Sequence, residues 1–263
     1  GGDAVVDYCG MCDSDISNDC ECDYFDNCGV CNGDNSDCWY IDIEASVFNE
    51  PLTYICVGAL GENQEECEEM GGEWTIDLAG FSDEQDLNNR IGMHTAADDG
   101  LNLDDDPFYQ CGTPNCYMDV PEPPDGQNTE VMFYFPHPEW ENPLGDDFNN
   151  YTRDIRALED LSDFQEIRVW DAVFSTEIME ADIVLSFNVI NQETLDGEYG
   201  YSRLFVLHDK NNDGQPEYTE VENGDKYSFF HSNINDSLKI IVGAPDIVSK
   251  SRVTVVSPNG NEI

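Results

Sequence analysis

Basic residues are nearly missing from this chain. Lys and Arg number 10 against 57 Asp and Glu, the formal net charge is -47, and no Lys or Arg precedes Arg90. A phosphate-binding face is built from clustered Lys and Arg, so nucleic acid is excluded as a partner. Anionic membrane surfaces are disfavoured for the same reason. No run of about 18 apolar residues is present, so no transmembrane segment is expected. Catalytic signatures are missing as well: there is no G-x-S-x-G elbow, no P-loop and no dinucleotide glycine fingerprint. The four histidines, His94, His137, His208 and His231, form no H-x-x-x-H or H-E-x-x-H pair, which argues against a catalytic zinc. Acid pairs such as Glu139 and Glu141 beside Trp140 have the residue types of a glycosidase. With 57 acidic residues such pairs arise by chance, and the chain is expected not to be an enzyme.

What is present is a core and a framework. The hydrophobic fraction of 40% suffices for a folded interior. Self-repulsion at this charge destabilises a compact state unless cations neutralise it, whether bound divalent ions or external salt; a halophile-type solvation coat is the competing reading. Eleven cysteines stand at Cys9, Cys12, Cys20, Cys22, Cys28, Cys31, Cys38, Cys56, Cys67, Cys111 and Cys116. That density points to an oxidising compartment and structural disulfides, hence a secreted, extracellular or cell-surface protein. Zinc competes for Cys9-x-x-Cys12 and Cys28-x-x-Cys31, but the neighbours are Asp, Asn and Gly rather than basic residues, which favours disulfides. The odd count and the opening Gly1-Gly2-Asp3 read as a segment of a longer polypeptide, with one cysteine partner upstream.

Three regions follow one another. Residues 1–38 hold seven cysteines and ten acidic residues, and Asp7-Tyr8-Cys9-Gly10-Met11-Cys12 recurs as Asp26-Asn27-Cys28-Gly29-Val30-Cys31. Each copy runs into an Asp/Asn/Ser-rich stretch closing at Cys20 or Cys38. Turn-formers dominate and apolar residues are few, so cross-links or ions must hold this arm. From Trp39 the pattern becomes alternating, as in Ile41-Asp42-Ile43-Glu44-Ala45-Ser46-Val47 and again over 181–189. Further strands are expected over 129–135, 166–174, 199–207, 226–231 and 237–242, and a short helix or turn over 156–164. Many short strands imply a mainly β fold, an antiparallel β-sandwich of jelly-roll or Ig-like type spanning 39–248. A long polar insertion near 95–128 interrupts it. Residues 249–263 read as a linker and the first strand of a following Ig-like domain.

Calcium is the expected cofactor. Asp209-Lys210-Asn211-Asn212-Asp213-Gly214 fits the loop template D-x-[DN]-x-[DN]-G-x5-E, with Asp209, Asn211, Asp213, Gln215, Glu217 and Glu220 as candidate ligands. Strands rather than helices flank it, Pro216 is unusual there, and a solvated hairpin loop is the competing reading. Within the arm, Asp7, Asp13, Asp15, Asp26, Asp34 and Asp37 (with Asp19 and Asp23) form a second candidate set, because a cation turns carboxylate repulsion into cross-linking. Asp98, Asp99 and 104–106 make a third acidic run, of the kind that is usually solvated. Cys56 with Cys67 and Cys111 with Cys116 flank short loops. Trp140, with Tyr134 near it, is the best candidate for stacking on a sugar ring. Two N-glycosylation sequons begin at Asn150 and Asn235.

Residues 1–38, and above all Cys28-Gly29-Val30-Cys31-Asn32-Gly33-Asp34-Asn35-Ser36-Asp37-Cys38, resemble the Cys/Asp-rich repeats of large secreted bacterial surface proteins. They are also similar to the calcium-binding type 3 repeats of thrombospondins. The body, with Phe133-Tyr134-Phe135-Pro136-His137-Pro138-Glu139-Trp140 and Asp154-Ile155-Arg156, is similar to uncharacterised β-domains of the same surface proteins. Ser257-Pro258-Asn259-Gly260 resembles the opening strand of their Ig-like modules. The resemblance implies type IX-like secretion and a structural role in a filament, surface layer or adhesive stalk. Partners would be copies of the chain or neighbouring domains of the same protein. The alternative is a carbohydrate-binding or adhesion module of a larger secreted enzyme, with glycans as partners. Strands 39–47 and 252–256 are candidates for strand addition between subunits.

Overall fold

Alternation of apolar and polar side chains sets the central strand. In β3 (Cys38–Phe48), Trp39, Ile41, Ile43, Ala45 and Val47 point inward and are fully buried. A strand with one wholly apolar face has to lay that face on a core, and each large side chain so buried contributes about 1.5–3 kcal/mol. β3 pairs with β6 (Gln85–His94) on one edge and β11 (Ala181–Ile190) on the other. It is therefore an interior strand, closed to the intersubunit pairing anticipated for 39–47. Gly92 of β6 makes the close fit possible, since a Cβ there would lie 2.3 Å from the Trp39 carbonyl oxygen.

The computed structural model describes residues 5–6, 12–13, 26–28, 32–48, 54–59, 61, 63–76, 85–95, 97, 99–101, 119–121, 131–140, 149–158, 167–191, 203–232, 235–243 and 245–248. Besides β3, β6 and β11 these include β1 (Val5–Val6), β2 (Cys12–Asp13), β4 (Tyr54–Val57), β5 (Glu73–Ile76), β7 (Val120–Pro121), β8 (Val131–Pro136) and β9 (Asn150–Ala157). The later strands are β10 (Arg168–Thr176), β12 (Arg203–His208), β13 (Glu217–Val221), β14 (Lys226–His231) and β15 (Asn235–Gly243). Two short helices complete the set, α1 (Gln64–Glu69) and α2 (Pro245–Val248). The fold is mainly β, as the alternation implied.

The main sheet runs β13-β12-β15-β10-β8-β9-β6-β3-β11-β14, with β7 added against β9, and curls nearly into a barrel. β8 turns the corner: Val131–Tyr134 pair with β10, while Phe135 and Pro136 pair with β9. One wall is β12, β15 and β10; the other is β9, β6, β3, β11 and β14. Trp39 on one wall meets Trp170 on the other edge-to-face, ring centroids 5.8 Å apart. One pair departs from the antiparallel expectation: β6 and β9 are parallel. Parallel neighbours need a long crossover, and residues 95–149 supply it.

One strand runs into the span expected as a short helix or turn. Arg156 and Ala157 end β9 rather than opening a helix, and residues 159–166 lie outside the described residues. β4, α1 and β5 form a separate hairpin unit whose Ile76 packs on Phe48 and Val184, on the outer face of β3 and β11. α2 covers the outer face of the opposite wall, where Val248 packs with Phe205, Leu207 and Ile241. Among the described residues, no helix is long and apolar enough to cross a membrane.

Candidate functional site

The arm is joined to the sheet by a covalent bond. Cys28 is disulfide-bonded to Cys38, the first residue of β3, and both are buried. Asp26 accepts from the backbone N–H groups of Cys28 and Asn35, at 2.9 and 2.8 Å, so its two oxygens are engaged in folding the loop. Asn32 and Asn35 take left-handed backbone, φ 52° and 66°, which Asn tolerates better than most residues. The Asn191 amide donates to the Cys38 carbonyl at 3.2 Å, and buried His94 donates from Nε2 to the Cys28 carbonyl at 3.2 Å. Burial holds the His94 pKa below its ordinary value. Thr95 is bound to Asp37 through both backbone and side chain. Asp34 is exposed, and its hydrogen bonds to Ser36 lower its pKa.

Most of the remaining arm candidates fall outside the described residues. Asp7, Asp15, Cys9, Cys20, Cys22 and Cys31 lie outside the described residues, as do Cys111 and Cys116. Cys12 and Asp13 are described only as the backbone of β2, paired with β1. Cys56 and Cys67 are bonded to each other and tie α1 to the β4–β5 hairpin.

The Asp209 loop folds on its own first residue. Asp209 is buried and accepts from the N–H groups of Asp213 at 3.1 Å and Gly214 at 2.8 Å. Gly214 has φ 78°, the left-handed conformation that the template requires glycine for. Asn211, Asp213 and Gln215 are exposed on the same turn, and Glu217 opens β13 opposite His208. Glu220 stands apart. It pairs across from Phe205, four residues before Asp209 and so about 13 Å away along the strand, and its carboxylate lies 3.6 Å from Arg203. The turn thus offers Asp209, Asn211, Asp213 and Glu217 as oxygen donors for calcium, with Lys210 3.8 Å from Glu217 as the competing cation. Among the described residues no three His, Cys, Asp or Glu side chains converge as they stand, so coordination would draw on Asn211, backbone carbonyls and water.

Behind this loop lies a polar seam that no sequence motif marks. β14 turns Tyr227, Phe229 and His231 inward, against β12, β15 and β10. His231 is fully buried, its Nδ1 donates to the Asp236 carboxylate of β15, and its Nε2 has no partner among the described residues. His208 Nδ1 is 3.1 Å from the Tyr227 hydroxyl, and its ring meets Phe229 edge-on at 4.6 Å. Burial pushes the His208 pKa down to about 4 and the Tyr227 pKa up. The available signal was polar residues at inward positions of an alternating run, as in Tyr227-x-Phe229-x-His231.

A second buried polar group pins the β8–β9 connection. His137 gives both ring nitrogens to carboxylates, Nδ1 to Glu139 and Nε2 to Asp154, each at 2.8 Å. Two acceptors require two N–H donors, so this ring is an imidazolium. Burial opposes that charge, but the hydrogen bond and charge of Asp154, then Glu139, outweigh it and raise the His137 pKa. Arg156 closes on Asp154 through two bonds of 2.8 and 3.1 Å, with its guanidinium 5.0 Å over the Trp170 ring. Trp140 is half-buried, one face on His137 and its edge on Tyr151. Tyr134 is half-buried at an outward position of β8.

No protein-family model, curated protein or solved structure matches this chain.

Proposed function

We propose that the chain is a structural module of an extracellular filament, surface layer or adhesive stalk, secreted and stiffened by disulfides and calcium. The observation that carries this reading is the Cys28–Cys38 bond, which ties the acidic arm to the first residue of the innermost strand. Load entering through the arm passes covalently into β3 and from there into both neighbouring strands. The polar groups behind the loops support the same reading, since His137, Asp154 and Arg156 satisfy one another and hold strands together. We take the domain as a flattened barrel of sandwich type, which resists extension through its two walls.

Calcium enters at the Asp209 turn and along the arm. A subunit carrying -47 charges repels its copies, and bound cations remove that barrier to assembly. The adhesion reading comes second, because the Trp140 ring already has one face on His137. Sedimentation velocity with calcium and after chelation tests the proposal. Reversible, calcium-dependent assembly is expected; a monomer under both conditions contradicts it.

A further inference from the structure

Four of the large apolar side chains exposed on the described surface belong to one small unit. Tyr54 is 46% exposed, Ile55 41%, Val57 48% and Met70 56%. Three of them make up most of β4, which pairs on one edge with β5 and, among the described residues, with nothing on the other. Natural sheets avoid a bare apolar edge unless something pairs with it. The unit is held rigid by the Cys56–Cys67 bond, by Gly72 tucked against both sulfurs, and by Lys226 donating to Thr75 at 3.3 Å. Its rim is acidic: Glu65, Glu66, Glu68, Glu69 and Glu73 are exposed, and no Lys or Arg falls between Tyr54 and Ile76. A complementary partner is therefore an extended, apolar, basic strand.

The chain contains one such segment. Residues 247–261 are its longest stretch without an acidic residue, and they hold Lys250 and Arg252 followed by Val253-Thr254-Val255-Val256. We infer that the free edge of β4 accepts the 250–256 strand of a second copy; this rests on the structural-module reading above and names the contact through which it assembles. Backbone hydrogen bonds to β4 supply the affinity, and Lys250 and Arg252 meet the glutamate rim. A donor from the same chain is disfavoured by reach. Val248 is anchored on the outer face of β12 and β15, the hairpin on the outer face of β3 and β11, and the walls alone stand about 10 Å apart. The four residues from Val248 to Arg252 span at most about 14 Å fully extended, too little to round the barrel and reach β4. Because donor and acceptor are different patches, the contact is head-to-tail and yields an open chain or, where the rotation closes, a ring.

The test replaces Val57 in the full chain with a photo-cross-linking amino acid. Copies with ordinary and with heavy nitrogen are mixed in calcium, irradiated, and the linked peptides mapped by mass spectrometry. Links from position 57 to 250–256 of the other isotope are expected. They should vanish when Lys250→Glu and Arg252→Glu are introduced together, with Cys56–Cys67 still paired. Links only within one isotope, or to another segment, overturn the proposal. Assembly by sedimentation without the 57-to-250–256 link overturns strand addition but leaves the structural module standing. Neither assembly nor link overturns both.

Discussion

His137 lies flat on Trp140, ring centroids 3.5 Å apart and planes within 6°, with Asp154 and Glu139 bonded to its two nitrogens. The ring is charged, and its partner Asp154 is fully buried. Replacing Asp154→Asn leaves two cations, His137 and Arg156, without their shared carboxylate. A loss of about 3–5 kcal/mol in urea-unfolding stability is expected. A loss under about 1 kcal/mol contradicts the pin.

The same geometry fixes a pH dependence. A raised His137 pKa means that its stabilising contribution is complete below the ordinary value of 6.5 and disappears as pH rises through the folded-state value. An NMR titration of the ring should show His137 still protonated where an unperturbed histidine is neutral.

His208 moves the other way. The unfolded chain takes up a proton near 6.5, whereas the buried ring resists it until about 4. Stability therefore falls as pH drops through that window, by roughly 3 kcal/mol for this group alone. His208→Gln should flatten the difference between stabilities measured at the two ends, and an unchanged slope contradicts the assignment.

Much of this fold was legible, and the two missed strands of the main walls share a cause. β3, β8, β10, β11, β12, β14 and β15 stand where alternation placed them, because most of their inward positions are apolar. β6 and β9 escaped because they bury polar groups: Asn89 and His94 in one, Asp154 in the other. A period-two pattern in hydrophobicity is blank at those positions. The parallel pairing of β6 with β9 depends on the path of residues 95–149, which no local pattern encodes. Of the candidate ligands, each of Asp209, Asn211 and Asp213 is on the one turn that the Asp209 carboxylate closes. Glu220 is not, since β13 carries it away along the sheet while the template assumes a helix.

The two disulfides should fail differently. Each spans a loop of about ten residues, so each is worth on the order of 2–3 kcal/mol. Cys56→Ala with Cys67→Ala should speed hydrogen exchange in 54–76 alone. Cys28→Ala with Cys38→Ala should expose the arm to protease and also weaken β3. Equal effects of the two pairs on β3 contradict the load path.

Isothermal titration with calcium should detect a site lost in Asp209→Ala. Gly214→Ala, which strains a backbone at φ 78°, should weaken it without removing a ligand. Identical heats for all three chains contradict calcium at this turn.

On the reading proposed above, this chain builds an extracellular assembly stiffened by calcium and disulfides. Negative-stain electron microscopy of the native material, before and after EGTA, tests it most directly. Ordered polymers that loosen or dissolve on chelation are the predicted result. Single particles in both conditions contradict the account.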